Sequence, residues 1–108
     1  MTVKELAEKY SLEILSLPEP SREVSGGYVG DLLSWVMGRA EADNAWITIM
    51  TNINIAAVAQ LSDVAVVIIA EGAKPDNNVT ETAKAKGVNI LLTEETAFSI
   101  AVKISSDI

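Results

Sequence analysis

Val64-Ala65-Val66-Val67-Ile68-Ile69-Ala70 is the stretch that decides the fold. It is apolar throughout, mostly β-branched and without polar alternation, which describes a central strand buried on both faces. Such a strand needs a covering layer on each side. It is also far shorter than the roughly 18–20 apolar residues required to span a bilayer, and no longer apolar run exists in the chain.

Downstream, the polar turn Glu71 to Asn78 ends that strand. Residues from about Asn78 to Lys86 then read as a mostly polar helix, with Lys84 and Lys86 in its last turn and Gly87 as its stop. Val88 to Leu92 is the next strand. Thr96 to Ser105 places Ala97, Ile100, Ala101 and Ile104 at helical spacing.

Upstream, Ile55 to Leu61 is apolar almost all round, so as a helix it requires cover on more than one side. Ala45 to Met50 reads as a strand, and Asn52 and Asn54 as turn formers. Before it, Asp31 is expected to cap a helix running to about Met37-Gly38, with Gly38 as its stop, and Glu23-Val24-Ser25 as a short strand entering a glycine turn. Leu12 to Leu17 reads as a strand halted by Pro18 and Pro20. At the start, Thr2 and Glu5 form a capping box for a helix that carries Val3, Leu6, Ala7 and Tyr10 on one face.

Strands and helices therefore alternate, and the connections are too long for hairpins. The pattern predicts an α/β layered domain with a small, mainly parallel sheet, right-handed crossovers and helices on both faces. The 108 residues form a single domain, residues 1–108, of a size that buries roughly 60–70% of its unfolded surface and needs no disulfide or metal to fold.

Composition narrows the function. Eight basic residues stand against fifteen acidic ones for a net charge of −7, which repels a polyphosphate backbone and speaks against nucleic-acid binding. Histidine is absent, and with it the usual acid–base catalyst near neutral pH. The lack of cysteine and of a basic-then-apolar leader points to a cytoplasmic setting.

The specialised segment is Arg22-Glu23-Val24-Ser25-Gly26-Gly27-Tyr28-Val29-Gly30-Asp31. Its glycines permit positive φ angles and close approach of a ligand or another backbone. Backbone N–H groups before a helix could cradle a phosphate, but Asp31 puts a negative charge there and neither glycine-rich nucleotide motif is present, so the competing reading is a structural turn. Ligands in open α/β sheets collect at the carboxyl ends of the strands. That edge is expected to gather Thr51, Asn52 and Asn54, then Glu71, Gly72 and Lys74, then Thr93 and Glu94. The expected ligand-binding set is Arg22, Ser25, Gly26, Gly27, Thr51 and Asn52, with no catalytic residue, metal or cofactor.

The chain resembles the DRTGG domain family. Ser21-Arg22 stands where the family name has Asp-Arg, and Ser25-Gly26-Gly27 where it has Thr-Gly-Gly. The likeness continues through Tyr28 to Ser34, Trp46 to Ile49, Asn54 to Ala59 and Thr96-Ala97-Phe98, nearly the whole length. The resemblance implies a fold akin to the N-terminal domain of HPr kinase/phosphorylase. It also implies an accessory role of the kind such domains have in CBS-type inorganic pyrophosphatases and phosphate acetyltransferase-like proteins, with catalysis in another domain.

Two functions follow as expectations. One is a free-standing, non-catalytic regulatory module, a homodimer that senses a small ligand such as an adenine nucleotide or docks on a partner enzyme. Its interface is expected on Ile55 to Leu61 or on the Asp31 to Met37 helix, both rich in apolar surface. The alternative is a small enzyme using Arg22, Asp31 or Glu71.

Overall fold

A computed structural model describes all 108 residues. In chain order the elements are α1 (Val3–Lys9), β1 (Glu13–Ser16), β2 (Gly27–Val29), α2 (Leu33–Arg39), β3 (Ala45–Thr48), α3 (Asn54–Ser62), β4 (Val66–Ile69), α4 (Val79–Lys86), β5 (Ile90–Leu92) and α5 (Ala97–Ile104). The sheet order is β1-β5-β4-β3-β2. β2, β3, β4 and β5 run parallel, and β1 alone is antiparallel, against β5. No helix is long and apolar enough to cross a membrane.

Period-two alternation along the central strands divides the core into two layers. Ala45, Ile47, Val66 and Ile68 point to one face, where Val3 and Leu6 of α1 and Ile100 and Ile104 of α5 cover them. Trp46, Val67 and Ile69 point to the other, against Val36 of α2, Ile55 and Ala59 of α3, and Val79 and Ala83 of α4. Every residue of β3 and β4 is buried, as two-sided cover of an all-apolar strand demands. Trp46 is fully buried, and its indole N–H donates to the Gly30 carbonyl at 2.9 Å, so its one polar atom is satisfied.

Local signals explain most boundaries. Thr2 and Glu5 make the reciprocal capping box, and Gly87 ends α4 in the left-handed region at φ 72°. Three expectations fail. Asp31 caps nothing: α2 begins after Leu32 without a side-chain cap, and the Asp31 carboxylate turns instead to β3. Gly38 does not stop α2, which runs through it to Arg39. Glu23-Val24-Ser25 makes only an isolated bridge, Glu23 to Thr2, and the strand begins later, at Gly27.

Candidate functional site

That shift in β2 moves the glycine segment from one end of the sheet to the other. Gly27 pairs with Ala45, the first residue of parallel β3, so Ser25, Gly26 and Gly27 lie at the amino edge. Thr51 and Asn52 follow β3 and lie at the carboxyl edge. The structure does not bring the six expected ligand-binding residues together.

At the amino edge, Arg22 is fully engaged. Its Nε and one terminal nitrogen donate to Asp43 at 3.2 and 3.0 Å, the same terminal nitrogen donates to the Asp63 carboxylate at 2.8 Å, and Glu19 lies 3.6 Å away. Burial works against this guanidinium's charge, but the hydrogen bonds it donates to Asp63 and Asp43 outweigh it and hold the pKa above the usual arginine range. An arginine so paired has no charge left for an incoming anion. Gly26 sits at φ 72°, and a Cβ there would lie 3.1 Å from the Asn44 amide, whose Nδ2 donates to the Ser25 carbonyl. The glycine is required by the turn.

At the carboxyl edge, Asn52 accepts from the Asn54 N–H at 2.9 Å and shapes the entry to α3, and the Thr51 carbonyl accepts from the Asp76 N–H at 3.0 Å. The cleft on this edge lies further along, beyond β4 and β5. It measures about 620 Å³ and includes Gly72, Lys74, Thr93 and Glu94, four of the residues expected to share the edge. Consecutive left-handed residues, Glu71 at φ 62° and Gly72 at φ 69°, bend its floor. Their N–H groups donate to Glu95 and Thr93 carbonyls at 2.7 and 3.0 Å, clamping the two loops together.

Tyr10 and Ser11 of the α1–β1 turn and Glu13 at the start of β1 complete the cleft. Sequence reasoning missed them because they reach this edge only through the antiparallel direction of β1, for which the sequence carries no local signal. Lys74 makes no ion pair, whereas the Glu95 carboxylate is occupied by Lys103 at 2.6 Å and the Ser99 hydroxyl at 2.8 Å. Hydrogen bonds from Lys103 and then Ser99 hold Glu95 below its ordinary carboxylate range.

Arg22, Asp31 and Glu71 form no common site. Arg22 is at the amino edge, Asp31 is bonded to Thr48 and Ile49 beyond β3, and Glu71 accepts from the Ala97 N–H at 3.3 Å beyond β4. No group of three or more acidic side chains converges to hold a metal ion.

Comparison with known proteins places this geometry. The chain is similar to the CBS and DRTGG domains of the regulatory region of Clostridium perfringens pyrophosphatase, a structure complexed with the activator diadenosine tetraphosphate. The TM-score is 0.69 at 16% identity over 94% of this chain, which spans 44% of that one. No curated protein matches the sequence. The DRTGG domain family model matches residues 34–106, starting after the glycine segment and covering nearly all of α2 and the whole of β3, α3, β4, α4, β5 and α5. With more than half of its length matched to that model, the chain belongs to the DRTGG domain family.

Proposed function

We propose that the chain acts as a free-standing, non-catalytic regulatory module in the cytoplasm, a homodimer that responds to a small ligand or docks on a partner enzyme. The observation that carries the ligand reading is the carboxyl-edge cleft, where an open α/β sheet holds small molecules and where one unpaired ammonium, Lys74, stands beside Thr93 and the apolar Pro75 and Leu92. That chemistry suits a ligand with a flat apolar part and an anionic group. The activator bound in the Clostridium perfringens regulatory region makes adenine nucleotides the first class to test. Glu13 and Glu94 on the same cleft oppose high negative charge, so nucleotides with few phosphates fit it better.

Nothing at the cleft supports chemistry. No histidine or cysteine exists, and the one cleft hydroxyl bonded to a carboxylate, that of Tyr10, donates to Asp107, which Lys9 also occupies. Calorimetric titration with AMP, ADP, ATP and diadenosine tetraphosphate tests the reading. A mononucleotide should bind, and Lys74→Ala should weaken it about 10–150-fold through loss of one charge-assisted contact. Silence of the whole panel would remove the nucleotide reading. Turnover of a nucleotide, abolished by a single substitution, would remove the non-catalytic one.

A further inference from the structure

The two edges of the sheet are built differently. β1 exposes Glu13, shifts register between Ile14 and Ser16 and runs on to Pro18, all devices that keep an edge strand from pairing with another chain. β2 has none of them: Gly26 to Gly30 contains no charge and no proline, and its register with β3 is regular. On the inner side, the Ala45 N–H donates to the Gly26 carbonyl at 3.0 Å and the Gly30 N–H donates to the Ile47 carbonyl at 3.1 Å. Backbone groups alternate sides along a strand, so Tyr28 also faces β3, and the N–H and C=O of the exposed Gly27 and Val29 point to the open side.

α5 lies over this edge. Its inner face is spent on the core through Ile100 and Ile104, yet Phe98 is 80% exposed and Val102 56%. A helix apolar on both faces is one that expects further cover. Between it and β2 runs a groove of about 260 Å³ lined by Val29, Ile47, Ala101 and Ile108.

We propose that β2 pairs antiparallel with β2 of a second copy across a two-fold axis at Tyr28, joining the two sheets into one. The free groups select this occupant. With Tyr28 opposite its own copy, Gly27 faces the partner's Val29 and exchanges both backbone hydrogen bonds with it, and Val29 does the same with the partner's Gly27. Every outward group is then satisfied, so the strand is its own complement, as a two-fold interface requires. A stable interface buries on the order of 800 Å² per partner, which three residues of strand cannot supply from a surface of 5476 Å². The remainder falls to α5, which the axis brings beside its copy on the same face, with the flank that carries Ala101 and Ile108 towards the partner and the exposed Phe98 at its outer border. Phe98 to Val102 is uncharged, so the chain's net negative charge does not oppose contact there. The proposal rests on the homodimer reading above and assigns the surface that forms the dimer.

The absence of cysteine allows a direct test in the 108-residue chain. Opposed residues in a non-hydrogen-bonded antiparallel pair sit about 4.5 Å apart at Cα, within disulfide range. Tyr28→Cys should therefore give a covalent dimer under mild oxidation, and Ile14→Cys on the other edge should not. Val29→Pro removes an outward donor while leaving the bonds to β3 intact, and Phe98→Lys charges the helix contact. Each should raise the dimer dissociation constant about tenfold or more with the circular dichroism spectrum retained. These two variants keep Tyr28 and carry the test independently of the thiol. A dimer that ignores both and does not cross-link overturns the edge assignment but leaves the homodimer standing; a wild-type chain that stays monomeric at high micromolar concentration overturns both.

Discussion

Asp31 and Thr48 join the carboxyl ends of β2 and β3: the Thr48 hydroxyl donates to Asp31 Oδ1 at 2.8 Å, and the same oxygen accepts the Ile49 N–H at 2.9 Å. Thr48 is 1% exposed, so its hydroxyl has no water to turn to. Asp31→Ala should cost about 1–3 kcal/mol in urea unfolding, the penalty for stranding buried polar groups. Asp31→Asn, which keeps an acceptor oxygen, should cost less. Equal losses for the two variants would mean the contact does not stabilise the fold.

Arg22 is expected to matter for stability and not for ligand affinity. It ties together the loops that precede β3 and β4, binding the Asp63 carbonyl as well as its carboxylate where the backbone is left-handed at φ 57°. Arg22→Ala should destabilise by about 1–2 kcal/mol, a figure discounted because Asp43 and Asp63 are 52% and 67% exposed. Lysine should rescue it poorly, since one ammonium cannot reproduce the planar fork. A nucleotide whose affinity drops with Arg22→Ala while the fold is intact would move the site to the amino edge.

The far end of α5 is tethered by Asp107, which accepts from the Tyr10 hydroxyl and from Lys9 Nζ. The Tyr10 and then the Lys9 hydrogen bonds hold Asp107 below its ordinary 3.8, while the Asp107 hydrogen bond raises Tyr10 above 10.0 and Lys9 above 10.5. A lowered folded-state pKa makes the Asp107 contribution complete above the ordinary value and lost as pH falls through the lowered one. Raised values make those of Tyr10 and Lys9 complete below the ordinary values and lost as pH rises through the raised ones. Hydrogen-exchange protection of α5 relative to β4 should thus hold between about pH 4 and 10 and weaken on either side. Unchanged relative protection down to pH 2 would show that the tether does not hold the helix.

How far the sequence could be read depended on whether each signal was local. The all-apolar Val66 to Ile69 declared a two-sided strand, Thr2 and Glu5 declared a helix start, and Gly87 a helix stop, because each acts within a few residues. Asp31 before an apolar run looks like a cap, but its partners lie seventeen and eighteen residues away, at the end of β3 and just beyond it. The site suffered most from one boundary. Placing the strand before the glycines put them at its carboxyl end, and the true start at Gly27 puts them at the amino end, across the sheet from Thr51 and Asn52. Apolar content guided the surface only in part: Ile55, Ala56, Val58 and Ala59 of α3 are spent inside the fold, whereas Leu61 at its end, Trp35 within α2 and Leu32 just before it are 76%, 53% and 61% exposed.

The most direct measurement is the mass of the chain in solution by multi-angle light scattering across a concentration series, at neutral pH without ligand. A regulatory module that works by self-association should approach twice the 11.5 kDa chain mass at high micromolar concentration and dissociate on dilution. A constant 11.5 kDa over the whole series would contradict the account.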